Sequence, residues 1–312
     1  MNPTQAPAIE TEGLTKFFGE NRGVEDLSLR VERGEVFGFL GPNGAGKTTT
    51  IRLLLDLAHP SRGSARVLGL DSHAGSVNVH RSTGYLPGDL QLFDRLTGAE
   101  HIRWFSRARQ AGGSATDPAL ASKLVARFGA ITDRPVRELS KGNRQKVGLV
   151  LALAHRPELA ILDEPTSGLD PLVQDEFDHL VREIAAEGRT VFLSSHDLDE
   201  VQRVADRVAI IRAGRLVVVD SVEALRRGAP SSIQLRLARP ADIGPLSSLP
   251  GVTHVVADGA ALSLQVTGEL APVLHAIADL DPMDVTARRA NLEELFLRYY
   301  QTDPAEGHAD AS

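Results

Sequence analysis

"GPNGAGKTT", Gly41 to Thr49, comes directly after the apolar run "EVFGFL", Glu35 to Leu40, and leads into "TTTIRLLLDLA", residues 48 to 58, whose apolar side chains recur at helical spacing. A glycine-rich turn therefore sits between a short buried strand and a helix. The spacing Gly41, four residues, Gly46-Lys47-Thr48 lets the backbone wrap round a phosphate with its amide hydrogens pointing inward, because glycine tolerates the positive φ that such a nest requires. Gly41, Pro42, Asn43, Gly44, Ala45 and Gly46 would form the wall of the nest. Lys47 adds a point charge for the outer phosphates, Thr48 offers a hydroxyl to magnesium, and Thr48 and Thr49 open a helix whose positive end faces the anion. The ligand this implies is a nucleoside triphosphate. A plain glycine-rich turn with a surface lysine is the alternative, and the strand-turn-helix context weighs against it.

A second stretch, "LAILDEP" at Leu159 to Pro165, reads as an apolar strand that delivers Asp163 and Glu164 at its carboxyl end, where open α/β sheets bind ligands. Asp163 would hold magnesium together with Thr48. Glu164 can orient an attacking water and accept its proton, the kind of help that phosphoryl transfer to water needs. The two acids could instead only cap the turn before Pro165. Further strands are expected in "TVFLSSH" (190 to 196) and "RVAIIRAGRLVVV" (207 to 219), with a helix at 171 to 187. Strands alternating with helices argue for a mostly parallel sheet.

Working outward, "IETEGLTKFF" (9 to 18) and "VEDLSLRVER" (24 to 33) alternate with period two and read as strands. Between about 90 and 145 the pattern turns helical. "RRGAPSS" (226 to 232) reads as a linker, and the segment beyond it has the order βαββαβ, with Asp258-Gly259 as a hairpin turn, which suggests a small ferredoxin-like α+β domain. Asn291 and Glu294 are spaced as a capping box before "LEELFLRYY", and the tail from 302 to 312 is polar. The expected domains are 8–225, with a helical subdomain at about 90–145, and 231–301.

The formal charge of −7 disfavours nucleic acid as a partner, since a phosphate backbone would be repelled overall. The sequence has no cysteine, which excludes disulfides and thiolate metal sites. "MNPTQAPAIE" has neither the charge nor the apolar core of a signal peptide, and the longest apolar stretch, "VGLVLALA", is far short of the ~20 residues that span a bilayer.

Taken in order, "GPNGAGKTT", "LSKGNRQK" (139 to 146), "LAILDEP", "SGLD" (167 to 170) and "SSH" (194 to 196) resemble the ATP-binding subunit of an ABC transporter, over about residues 8 to 222. The resemblance implies a P-loop cassette, with a mixed core sheet and a helical subdomain, that binds ATP and Mg2+. It also implies a dimer of two copies, in which Ser140 and Gly142 of one touch the γ-phosphate held by the other and Asp170 couples the two sites. Glu164 and His196 would be catalytic. Phe18 would lie under the adenine, with Phe17 as the competing candidate. A C-terminal domain after a single cassette is similar to subunits that pair with ABC-2 type permeases for drug and antibiotic efflux, which places the chain at the cytoplasmic face of the membrane.

Two departures stand out. The signature carries Lys141 and Asn143 where the family usually has glycine and glutamine, and "GYLPGDLQLFDRLT" (84 to 97) carries Gly88 where the family places a metal-contacting glutamine. Asp89 and Gln91 are candidate substitutes. Two other readings are disfavoured. A soluble cassette acting on ribosomes or DNA usually has two cassettes or a coiled-coil insertion, and a P-loop kinase would have no use for "LSKGN" or "SGLD".

Overall fold

Strands β1 (Ile9–Phe18) and β2 (Asn21–Val31) pair antiparallel in the computed structural model, which describes residues 6–114, 116–228, 231–239 and 243–289. Alternation does its work here: Leu27, Leu29 and Val31 point inward from β2 while the residues between them face out. Next come β3 (Val36–Leu40) and helix α1 (Lys47–Leu54). β4 (Arg62–Val67) and β5 (Leu70–Asp71) complete a sheet of order β2-β1-β4-β5. The sequence pattern does not mark these two strands, because "RGSARV" buries only Ala65 and Val67 and shows little apolar signal. Helix α1 ends four residues earlier than its apolar pattern suggests. Asp56 takes a left-handed φ of 54°, and Leu57 N–H reaches back to the Arg52 carbonyl, which terminates the helix.

Helix α2 (Ser76–Ser82) and strand β6 (Thr83–Leu86) lead into the helical part: α3 (Gly98–Ala111), α4 (Pro118–Phe128) and α5 (Lys141–Leu153). Local chemistry sets these boundaries. Thr97 and Glu100 form a reciprocal capping box at the start of α3; Asp117 caps α4, Pro118 opens it and Gly129 closes it with φ 57°. Such caps are each worth about 1 kcal/mol.

The chain continues through β7 (Leu159–Asp163), α6 (Pro171–Ala186), β8 (Thr190–Ser195), α7 (Leu198–Val204), β9 (Arg207–Arg212) and β10 (Arg215–Ser221). The central sheet has the order β10-β9-β3-β8-β7-β6, and from β9 to β6 every pairing is parallel. Its middle strands are buried on both faces, which explains their unbroken apolar runs. Phe37 and Phe192 stack with centroids 5.9 Å apart in the core between β3 and β8. Register places Leu40 opposite Ser195 and Asp163 opposite Ser194, so β3, β8 and β7 all end at one edge.

The chain divides into two compact units, between Val219 and Asp220. The second unit opens with α8 (Val222–Gly228), so part of the expected linker is helical, and Ser231 and Ser232 already belong to β11 (Ser231–Leu237). It continues through α9 (Gly244–Ser247), β12 (Val252–Asp258), β13 (Ala261–Val266), α10 (Ala271–Ala278) and β14 (Pro282–Arg289). The sheet order β12-β13-β11-β14, antiparallel throughout, with this βαββαβ connectivity is the expected ferredoxin-like arrangement. Ile233, Leu264, Leu246, Val273 and Ile277 form its own core. Asp258 still pairs with Ala261, so the hairpin turn is Gly259-Ala260, one residue later than the sequence suggests. The capping box at Asn291 and the helix after it lie outside the described residues.

Candidate functional site

The parallel sheet brings the ends of β3, β7 and β8 together, and the loops that leave them carry the candidate residues. Residues 41 to 46 curl from Leu40 to the start of α1, and Gly46 caps that helix with φ 113°. A Cβ on Gly46 would lie 2.7 Å from the Gly23 carbonyl, so both backbone angle and space demand glycine there. Lys47 is buried, its ammonium held by Gly41 O at 2.6 Å and standing 3.2 Å from Glu164 Oε1.

Thr48 Oγ1 donates to Asp163 Oδ2 at 2.8 Å, while Ser194 Oγ donates to Asp163 Oδ1. Asp163 is thus gripped from both sides by hydroxyls of the loop helix and the neighbouring strand. Its charge reaches Tyr85, whose phenol is pushed up to about 12, first by burial and then by Asp163. Glu164 comes next with a left-handed φ of 51°, a conformation that costs a non-glycine residue about 1–2 kcal/mol and turns its side chain off the strand line. Glu164 Oε2 pairs with His196 Nδ1 at 2.7 Å. Glu164 Oε1 is buried and accepts no hydrogen bond from the described residues, with the Lys47 ammonium 3.2 Å away. One carboxylate therefore lies between a lysine and a histidine.

Phe18 ends β1 with its ring half exposed, close against Gly23 and under the Lys16 ammonium at 5.2 Å; Phe17 is more buried. Between the two candidates, Phe18 presents the freer face beside the glycine-rich loop.

Ser140 caps α5 by accepting from Asn143 N–H at 3.2 Å. Asn143, one of the two departures, is buried and its amide clamps Ile131 through both backbone groups, at 2.8 Å and 2.7 Å. It faces its own chain. Lys141 Nζ donates to Ser167 Oγ at 2.9 Å, and Gly142 packs so closely on the 167–170 turn that an added Cβ would lie 2.3 Å from the Gly168 carbonyl. Asp170 caps α6 through Val173 N–H and stands 3.6 Å from Lys146.

Three residues with no role assigned from the sequence tie these pieces together. Gln145, buried on α5, donates to the carbonyls of Glu164 and Pro165 at 3.1 Å and 3.0 Å, fixing the turn that carries Glu164. Ser194 holds Asp163 through its hydroxyl. Glu200 on α7 accepts from Thr166 Oγ1 at 2.6 Å and Ser195 Oγ at 2.9 Å, clamping the loop after β7 to the end of β8. Gln145 lies inside "LSKGNRQK", so its motif is visible in the sequence; the Glu200 bridge spans residues far apart in sequence and leaves no signal.

The family description "ABC transporter" matches residues 24–167. The daunorubicin resistance ATP-binding protein DrrA3 of Streptomyces coeruleorubidus is 36% identical over 301 residues, covering 93% of this chain and 95% of that protein. This chain belongs to the ATP-binding proteins of the ABC transporter family. It is accordingly an ATPase. A second ABC relative, the bacitracin transport ATP-binding protein BcrA of Enterococcus faecalis, is 33% identical and covers 70% of this chain and 71% of its own. Among solved structures, the ATP-binding subunit of an ABC transporter superposes with a TM-score of 0.64 at 30% identity, over 70% of this chain and 92% of that one. A dimeric cassette bound to ADP and Pi has the same fold, with a TM-score of 0.62 at 20% identity, over 69% of this chain and 98% of its own. ABC family membership accounts for the order of these motifs along the sequence. No described helix is long and apolar enough to cross a membrane.

Proposed function

We propose that this chain is the ATPase subunit of an exporter for a drug or antibiotic, acting as a dimer at the cytoplasmic face of the membrane on a separately encoded ABC-2 type permease. The observation that carries the reading is the convergence of the glycine-rich loop, Asp163 and the Glu164–His196 pair on one sheet edge. The cargo class is supported by the similarity to the daunorubicin and bacitracin proteins. The cassette would comprise residues 8–225.

In this reading residues 41 to 49 bind the phosphates of ATP and Phe18 stacks under the adenine. Thr48 and Asp163, a hydroxyl and a carboxylate of hard oxygen donors, suit Mg2+, which keeps several waters of its own and would neutralise phosphate charge when bound. A phosphate entering the loop competes with Gly41 O and Glu164 Oε1 for the Lys47 ammonium. Drawing Lys47 away leaves Glu164 with His196 alone, free to orient a water and take its proton. Binding the substrate thereby arms the base. Ser140, Gly142 and Asp170 act across the dimer.

Phe93, Trp104 and Phe105 form an exposed edge-to-face cluster, with centroids 5.8 Å and 5.0 Å apart, on and beside α3. An apolar patch there suits docking of a membrane partner. The reading is tested by co-expressing the chain with an ABC-2 type permease from the same genome. Co-purification and an ATPase rate per chain that falls on dilution of the isolated chain are expected; a dilution-independent rate would remove the dimer from the proposal.

Gly88 gives a further prediction. A Cβ there would point at the metal-binding pair, 3.2 Å from Asp163 Oδ2, while Asp89 and Gln91 pair with each other on the exposed surface at 3.4 Å. The Asp163 carboxylate must give way by a few tenths of an ångström to admit that Cβ; with this shift the amide of Gly88→Gln reaches the pair and should lower the Mg2+ concentration for half-maximal ATPase several-fold. An unchanged Mg2+ titration would show that residue 88 does not serve the metal.

A further inference from the structure

At the far end of α1 from the glycine-rich loop, three side chains from two separate segments meet. Asp56 Oδ1 lies 2.8 Å from His73 Nδ1 and 3.2 Å from His59 Nδ1, and one ligand atom from each residue falls within 4.8 Å of the others. The two imidazoles stand edge to face with centroids 4.8 Å apart. We propose that Asp56, His59 and His73 bind a divalent transition-metal ion of the zinc class, which clips the end of α1 to the turn between β5 and α2.

The donor chemistry selects the ion. Two imidazole nitrogens and one carboxylate oxygen suit Zn2+ and its borderline neighbours better than Mg2+ or Ca2+, which prefer oxygen alone. Bond lengths of about 2.0–2.2 Å to such an ion place neighbouring donors about 3.4 Å apart in a tetrahedral shell. The His73 separation from the carboxylate needs to open by about 0.6 Å and the His59 separation by about 0.2 Å. Access is also provided: the carboxylate is 16% exposed and so held in place, whereas the imidazoles are 68% and 69% exposed and leave room for waters to complete the shell.

The backbone supports the same reading. Asp56 occupies the left-handed position that ends α1, with Leu57 N–H bonded to Arg52 O and Asp56 N–H to Leu53 O, a motif in which glycine is the usual residue. An aspartate stands where glycine would be easier, and its side chain is the one that meets both histidines. His73 is itself fixed by its backbone N–H on Asp71 Oδ1 at 3.0 Å. His80 on α2 adds a second fastening, through Nε2 to Leu55 O at 2.6 Å. With α1 about 12 Å long, the cluster is well removed from the phosphate loop at the helix's other end. An ion here would steady that helix without touching nucleotide.

The test titrates Zn2+ into the full-length, metal-free chain without nucleotide, with binding read by calorimetry and Co2+ absorption as a spectroscopic check. One equivalent should bind and raise the melting temperature. His59→Ala, His73→Ala and Asp56→Gly should each weaken binding at least about tenfold and remove the thermal shift. Asp56→Gly introduces the residue that the helix end favours, so it should remain folded and melt near the parent in the absence of Zn2+. ATPase of His59→Ala and His73→Ala should match the parent, which separates this proposal from the catalytic one. Absence of saturable Zn2+ binding overturns it. So does binding that survives all three substitutions, or that is lost instead in Asp163→Asn.

Discussion

Glu164→Gln should bind ATP as tightly as the parent while its turnover falls by roughly 10²- to 10⁴-fold, the range associated with loss of a general base. The contacts of the carboxylate explain why the two effects part. Glutamine has the same shape, and its carbonyl can face the Lys47 ammonium that now stands 3.2 Å from Oε1. Its amide can then donate to His196 Nδ1, now 2.7 Å from Oε2, so neither neighbour is left without a partner. What disappears is the negative charge that, in the proposed mechanism, takes a proton from water. Single-turnover hydrolysis measured beside calorimetric ATP affinity reads both quantities. Undiminished hydrolysis would move the base to another residue. A matching loss of affinity would make Glu164 a binding residue.

The strand, glycine-rich turn and helix around residues 41 to 49 are legible because their signal is local: glycine spacing, one lysine and a strand-turn-helix context all lie within one stretch. The central strands are legible for a similar reason, since burial on both faces demands the continuous apolar runs seen in β3, β7 and β8. Strand β4 escapes because it exposes most of its residues. Positions that depend on contacts distant in sequence are harder still. Asn143 resembles a weakened signature residue, yet it is buried and spends both amide groups on Ile131. Its substitution for the usual glutamine is answered within its own chain. Gly88 reads as a missing ligand, and the structure adds that the space beside Asp163 at that position has room for a Cβ only at 3.2 Å, tighter than ordinary contact. Asp56, His59 and His73 show the opposite case, a mostly buried aspartate and two exposed histidines that only folding brings together.

The second large effect concerns the partition of one site between two chains. Lys47→Ala should lose most ATP affinity, about 10- to 100-fold, because it removes a charged partner from the phosphates. Gly142→Ala should keep ATP affinity and lose hydrolysis, because the added methyl, 2.3 Å from the Gly168 carbonyl, forces Ser140 and the start of α5 away from the turn that leads to Asp170. Each variant alone is then inactive. If the nucleotide is clamped between the loop of one chain and the signature of the other, a mixture of the two is not. A mixed dimer carries one site in which both defects coincide and one in which neither is present. Random pairing of equal amounts makes half the dimers mixed, so at most about a quarter of parental turnover should return. Coupling of the two sites through Asp170 would hold the recovery below that limit. Mixing tagged and untagged chains verifies that exchange has occurred. Exchange without any recovery, in a system where parent mixed with Lys47→Ala shows that one intact site suffices for turnover, would mean that the loop and signature of a single chain serve the same ATP, and the dimeric mechanism would have to be abandoned.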